Sequence, residues 1–322
     1  MVGLNINLRT SKKSRRALSI CIPVLNERDN IIPLYERLNL LSYTMQNKCD
    51  FEFIFTDNAS TDESWEILEA LGERDKRVRA YRFTTNVGFQ NSILFNISQA
   101  TGDAVIQIDA DLQDPPEIIE KFYDLWLEGN LIVYGIRTTR KESWLMNSIR
   151  RLGYQAINLL SEHSIPPNAG DFRLLDRKVV EVLKSTKTPN PYLRGIVSRF
   201  GFSQIGVEYA RNERTLGESK FNLIQVFRLG LNALSSHSNA PIRIGIFIGF
   251  SSLSISILSA IFYVILKIRD PNLPVGFITV YVLILFGIAI NSLMLSLILN
   301  YLNRIYLIIR GEPLIVVIRT IN

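Results

Sequence analysis

Two long stretches without a charged residue constrain this chain most. Residues 244–266 carry no charge between Arg243 and Lys267, and residues 275–303 carry none before Arg304. As a helix the first is roughly 34 Å long, enough for a hydrocarbon core of about 30 Å. The second exceeds what one crossing needs, which leaves room for tilt or an interfacial end. A globular helix rarely stays apolar on every side for so long, so two membrane spans are expected rather than a pair of core helices. Asn291, polar in mid-span, is expected to face another helix. The short link 268–274 makes the spans an antiparallel hairpin. Both ends then lie on the side of the large N-terminal portion. Arg243, Arg304 and Arg310 there, against Lys267, Arg269 and Asp270 in the link, favour the cytoplasmic side.

Charge elsewhere agrees with a membrane setting. The 322 residues hold 36 Lys and Arg against 30 Asp and Glu, a net charge of +6. The basic residues form only a short N-terminal cluster, Lys12, Lys13, Arg15 and Arg16, and no long tract. Anionic lipid, and not nucleic acid, is therefore the expected partner. Ahead of the spans, Phe221, Ile224, Phe227, Leu231 and Leu234 recur at helical spacing beside Lys220 and Arg228. This pattern predicts an amphipathic helix on the membrane surface. Cys21 and Cys49 lack metal-ligand spacing and read as reduced core thiols. The first residues are polar and basic with no apolar core behind them, so no secretory signal is expected.

Up to residue 220 the chain alternates strand and helix patterns. Strands are predicted over 17–24, 51–56, 78–83, 104–108 and 131–135. Helices are expected to begin near Asp29, near Asp62 with Ser60 or Thr61 as cap, near Gln90, and at Pro116. Such alternation implies an α/β domain with a mostly parallel sheet covered on both faces. Ligands of such sheets bind beyond the carboxyl ends of the strands. Polar residues gather there: Asn26 and Glu27, Asp57 to Asp62, Asn86 and Gly88, and Arg137. No GxGxxG follows the first strand and no GxxxxGK[ST] occurs, so dinucleotide and P-loop readings lose their main support.

The fourth strand end is the most loaded. Asp109, Asp111, Gln113 and Asp114 precede Pro115 and Pro116. Acids packed at one strand end are costly unless a cation sits among them. Mg2+ or Mn2+, which take oxygen ligands and keep phosphates in their shell, suit such a cluster. Asp111 and Gln113 are two apart and on an extended segment point the same way, so they are assigned to the metal. Asp109 is assigned to a sugar or to the outer shell. Glu27 and Asp57 can accept hydrogen bonds from a nucleotide base or ribose. Farther on, Asp171 and Arg173 flank an apolar run, and Arg211, Arg214, Ser219 and Lys220 lie just ahead of the surface helix. Cations, a hydroxyl and Gly217 form a candidate phosphate cradle at the membrane surface.

These motifs together resemble a family 2 glycosyltransferase of the GT-A fold, in the polyprenyl-phosphate branch that includes bactoprenol glucosyltransferases and dolichol-phosphate mannose synthases. The matching pieces run from Pro23 to Glu27, Asp57 to Asp62, Asn86 to Gly88, Asp109 to Glu117, Asp171 to Leu174 and Arg214 to Lys220. The chain departs from many relatives in having Asn58 where a second acid stands, and Phe89-Gln90 where a lysine or histidine follows the glycine. The resemblance implies inverting transfer of a hexose from a nucleotide sugar to polyprenyl phosphate. UDP-glucose and undecaprenyl phosphate are the expected pair, and GDP-mannose is the alternative donor. It implies donor contacts from Pro23, Leu25, Glu27, Asp57, Gly88, Asp109 and Asp111, acceptor-phosphate contacts from Arg137, Arg211, Arg214, Ser219 and Lys220, and catalytic roles for Asp171 and Asp109. It also implies an integral protein of a bacterial inner membrane and self-association, as a tetramer by family analogy. The expected organisation is a basic tail at 1–16, a GT-A domain at 17–220, a juxtamembrane helix at 221–240, two spans within 241–304, and a tail at 305–322 with the pattern of a strand. A processive polysaccharide synthase would need more spans and a Q-x-x-R-W-type motif. A non-catalytic scaffold would have no use for the acidic cluster.

Overall fold

The computed structural model describes residues 15–138, 169–186, 191–211 and 313–322, and, in a second unit, 276–310 with parts of 250–269. The first unit is built on an eight-stranded sheet of order β7-β5-β6-β4-β1-β2-β3-β8. Its strands are β1 (Arg16–Val24), β2 (Cys49–Asp57), β3 (Val78–Phe83), β4 (Ala104–Gln107), β5 (Ile132–Arg137), β6 (Ala169–Asp176), β7 (Gln204–Tyr209) and β8 (Val317–Ile321). Helices α1 (Arg28–Thr44), α2 (Ser64–Arg74), α3 (Phe89–Gln99) and α4 (Ile118–Leu127) follow the first four strands, α5 (Arg177–Lys184) follows β6, and α6 (Leu193–Arg199) precedes β7.

Alternation along the strands divides the core between the two faces. In β1, Leu18, Ile20, Ile22 and Val24 join one cluster, which takes in Leu34 and Leu38 of α1, Trp65 of α2 and Phe122 of α4. Cys21 joins the opposite cluster with Ile54, Ile93 and Ile97 of α3, and Val180 of α5. Both cysteines are buried free thiols. The sheet is mostly parallel, as expected, but β6 and β8 run against the rest. The reversal of β6 matters for function. It inserts between β4 and β5, so its first residues, not its last, lie at the edge where the parallel strands end. β8 covers the outer edge of β3, where an open strand would invite foreign pairing.

Several local expectations are corrected. α2 begins at Ser64, and Ser60 and Thr61 are not its caps. Ser60 Oγ instead accepts from the Asn26 backbone N–H at 2.9 Å, while the Thr61 N–H donates to Asn26 Oδ1 at 2.8 Å. The Ser64 N–H is bound by Asp62 Oδ1 at 3.0 Å. α4 begins two residues after Pro116, at Ile118.

The second unit contains the helix α7 (Phe277–Arg310), 34 residues long. Residues 250–269 are helical at every position described. Exposed Leu283, Ile284, Phe286, Leu295, Ile298 and Leu299 line α7. Among the described residues no helix is long and apolar enough to cross a membrane; parts of both expected spans fall outside them. The predicted surface helix over 221–236 lies wholly outside.

Candidate active site

Four neighbouring strands converge on one edge. β4 leads to Asp109, β6 begins beside Asp171, β5 ends at Arg137 and β7 ends at Tyr209, with Arg211 two residues on. The sequence order scatters these groups over a hundred residues; the strand order β7-β5-β6-β4 makes them adjacent.

The acidic turn is not extended. Leu112 has φ +60°, the left-handed region that a branched side chain seldom adopts. Asp111 Oδ1 accepts the Gln113 N–H at 3.2 Å, which closes the turn. The expectation that Asp111 and Gln113 share one face of an extended segment therefore fails, although both remain in the same turn. Asn26 after β1 and Ala59 after β2 also have positive φ, 54° and 60°. Backbone strain thus recurs in three of the loops at this edge, where binding residues commonly sit.

Asp114 is fully buried and paired on both oxygens. Tyr209 Oη donates to its Oδ1 at 2.6 Å, and Arg137 Nη2 donates to its Oδ2 at 3.2 Å. Arg211 bridges two acids, with Nε 3.3 Å from Asp114 Oδ1 and Nη2 3.6 Å from Asp111 Oδ2. Tyr209 can lie across β5 because Gly135 has no side chain; a Cβ there would come within 2.5 Å of the tyrosine ring. Phe172 packs edge-on to the same ring at 5.8 Å. Burial opposes the charge on Arg137, but Asp114 and Tyr209 beside it raise its pKa.

Asp109 and Asp171, assigned together to catalysis, behave oppositely. Asp109 Oδ1 is buried and, among the described residues, has no hydrogen-bond partner. Burial, followed by the charges of Asp114, Asp171 and Asp111, pushes its pKa up to about 8. Burial alone would raise Asp171 as well. Arg194 overrides it through a two-pronged pair, Nε to Oδ1 at 2.8 Å and Nη2 to Oδ2 at 2.7 Å, and holds the carboxyl down at about 2. Arg173, buried beside it, is lowered to about 10 by burial and donates to the Gly170 carbonyl at 2.8 Å. Asp109, Asp111, Asp114 and Asp171 thus face Arg137, Arg173, Arg194 and Arg211 in one cluster of mixed charge.

The other expected donor residues lie at the ends of β1, β2 and β3. Pro23 is buried in β1 and Leu25 and Glu27 are half-buried. Glu27 Oε2 accepts from Asn30 Nδ2 at 2.6 Å. Asp57 is fully buried; its Oδ1 binds the Ser60 N–H at 2.9 Å and Arg82 Nε lies 3.3 Å from its Oδ2. Beside them a cavity of about 340 Å³ is lined by Ser60, Arg82, Ile318 and Arg319 among others. Gly88, exposed, precedes α3 with φ 85° and ψ 154°, a conformation open essentially to glycine alone. Asn58 has a structural part: Nδ2 donates to Asn86 Oδ1 at 2.9 Å and Oδ1 accepts the Val87 N–H at 2.9 Å. An aspartate could not make the first bond. Gln90 Oε1 accepts the Leu193 N–H at 3.0 Å, which ties α3 to the start of α6. Arg214, Ser219 and Lys220 lie outside the described residues. Tyr209 and Arg194 went unnoticed in the sequence. Tyr209 stands two residues before Arg211, but nothing in its surroundings marks it. Among the described residues no three His, Cys, Asp or Glu are grouped to hold a metal.

The family model for "Glycosyl transferase family 2" matches residues 19–184, which include the acidic turn, Arg137 and Asp171. The chain belongs to this family. The family-2 transferase is 35% identical over 300 residues to the uncharacterized glycosyltransferase YkcC of Bacillus subtilis, with 93% of this chain and 92% of the relative covered. It is 33% identical over 297 residues to the bactoprenol glucosyl transferase of Shigella phage SfX, with 92% of this chain and 97% of that protein covered. A mannosyltransferase from Pyrobaculum calidifontis, solved with GDP-Man and Mn2+, aligns over 69% of this chain and 61% of its own at 16% identity and a TM-score of 0.47. The domain is an α/β domain with a mostly parallel sheet, and the protein is a glycosyltransferase.

Proposed function

We propose that this transferase moves a hexose, glucose from UDP-glucose, to undecaprenyl phosphate by single inverting displacement, releasing UDP. The observation that carries this reading is Arg211 bridging Asp111 and Asp114, with Arg137 on the second oxygen of Asp114. It puts cations suited to a phosphate directly against the acids suited to a metal-bound diphosphate. Similarity over nearly the whole chain to a bactoprenol glucosyl transferase supports the acceptor and the sugar.

A divalent cation, Mg2+ or Mn2+, fits the residues present. The turn's acids and Gln113 offer oxygen ligands, Asp109 Oδ1 lacks a partner among the described residues, and Asp111 already draws a guanidinium. Asp111 and Gln113 would hold it, with Asp109 beyond, and once bound it neutralises charge on the leaving diphosphate. The chain's own residues do the rest. Pro23, Leu25, Glu27, Asp57 and Gly88 hold the nucleoside and sugar. Arg137 and Arg211, with Arg214, Ser219 and Lys220, hold the acceptor phosphate. That phosphate is already largely ionised near neutral pH, since phosphomonoesters have a second pKa of about 6. No strong base is then required, and Asp171, held as a carboxylate by Arg194, orients rather than accepts a proton. Catalysis rests on alignment and on charge stabilisation at both phosphates.

The acceptor is a lipid, so the protein must meet a bilayer. We read 244–266 and 275–303 as its spans, with the catalytic domain on the cytoplasmic side of a bacterial inner membrane and self-association through the hairpin. The exposed apolar side chains of α7 support this. Purified protein in detergent, given radiolabelled UDP-glucose, UDP-galactose or GDP-mannose with undecaprenyl phosphate, should pass label from UDP-glucose into the organic phase. Label from GDP-mannose alone would replace the proposed donor, and no labelled lipid from any donor would refute the function.

A further inference from the structure

Asp114 is a fully buried carboxylate with two guanidiniums and a phenol around it. A carboxylate offers about four acceptor positions; among the described residues Tyr209 Oη donates to it at 2.6 Å and Arg137 Nη2 at 3.2 Å, and Arg211 Nε pairs with it by charge at 3.3 Å without a hydrogen bond of its own. Tyr209 Oη in turn accepts from Arg137 Nε at 3.3 Å. Arg137 and Arg211 come from different strand ends, and like charges that close together repel unless an anion lies between them. Asp114 is that anion. Both its oxygens accept a hydrogen bond from this cluster, so it differs from Asp111, whose Oδ2 meets, among the described residues, one long contact at 3.6 Å.

We propose that Asp114 is a positioning residue for acceptor binding. With Tyr209 it fixes Arg137 and Arg211 side by side as a clamp for the phosphate of the lipid acceptor, and it takes no part in holding the metal. The clamp's assignment to the acceptor rests on the function proposed above. In Asp114→Asn one acceptor oxygen becomes a donor facing Arg137 or Arg211, and the counter-charge between them is lost. Tyr209→Phe removes one support and keeps the charge.

The test separates acceptor from donor. Steady-state transfer is measured with undecaprenyl phosphate varied at saturating UDP-glucose, then the reverse, alongside Mn2+ affinity by electron paramagnetic resonance. Asp114→Asn should raise the acceptor KM by about tenfold or more, as expected for losing charged hydrogen bonds. Donor KM and Mn2+ affinity should stay within about twofold, below what loss of a direct contact costs. Tyr209→Phe should shift acceptor KM the same way but less. An unchanged acceptor KM in a transferring enzyme overturns the inference and leaves the function standing. Loss of Mn2+ affinity in Asp114→Asn makes Asp114 a metal ligand and also overturns it. Wild-type protein that uses no polyprenyl phosphate sinks both. If Asp114→Asn does not fold, Tyr209→Phe and Arg137→Lys decide by the same comparison of the two KM values.

Discussion

Replacing Asp171 by Asn should weaken the fold by an amount set by its pairing with Arg194. The carboxyl is held near 2 against an ordinary 3.8. At about 1.4 kcal/mol per unit, this depression corresponds to about 2 kcal/mol of stability. The sign follows from a lowered pKa. Near neutral pH the carboxylate is ionised in both folded and unfolded chains, and the full contribution is present. Below about pH 4 the unfolded chain takes up a proton that the folded one refuses, and the contribution is lost as pH falls toward 2. The amide also leaves Arg194 and buried Arg173 facing each other with less counter-charge, so about 2 kcal/mol is the lower end of the loss. For a domain of this size that is about 4–8 °C in Tm. Thermal unfolding followed by tryptophan fluorescence, in detergent and across a pH series, reads it directly. Wild type should lose Tm through the acid range, while Asp171→Asn should start lower and lose less there, since Glu52, Asp62 and Asp75 are also held down and keep part of that limb. A variant that melts with the wild type at neutral pH, or keeps the same acid limb, would refute the argument that Arg194 holds Asp171 down.

Three further outcomes test the site. Asp111→Ala should abolish sugar transfer while the protein still folds; wild-type turnover would remove Asp111 from the metal site. Asp109 titrates in the opposite sense to Asp171. Its raised value near 8 means the folded chain keeps a proton that the unfolded one releases above about pH 4, so it costs stability as pH climbs toward 8. With EDTA present, Asp109→Asn should therefore melt higher than wild type near pH 8, and equal melting there contradicts the burial argument. Gly88→Ala should cost about 1–3 kcal/mol through backbone strain alone, since nothing lies within 4 Å of the added Cβ; urea unfolding that shows no loss would mean the loop relaxes freely.

The first four strands and the helices between them were legible because each strand is a short apolar run ended by polar turn residues. β3 carries the residues expected of it from Val78 to Phe83. The acidic turn was legible as chemistry but not as shape. Leu112 in the left-handed region depends on how Asp111 closes on the Gln113 N–H, and residue type does not announce that. The reversed β6 was illegible for another reason. Strand direction follows from which neighbours a run pairs with, and the apolar pattern around Leu174 and Leu175 reads the same in either direction. Tyr209 and Arg194 were missed because their roles arise only from that topology. Arg194 reaches Asp171 from a helix 23 residues on, and Tyr209 reaches Asp114 across 95 residues.

The pairing of β8 with β3 has a consequence for biogenesis. Thr320 lies opposite Tyr81 and Arg319 opposite Arg82, in a sheet whose other strands all precede residue 210. The edge strand is therefore translated after the 34-residue helix Phe277–Arg310. While that helix leaves the ribosome, the catalytic sheet must wait with β3 uncovered. Pairing over so long a stretch of chain is entropically slow, so the order of synthesis delays closure of the sheet until the apolar segment that precedes β8 has been made.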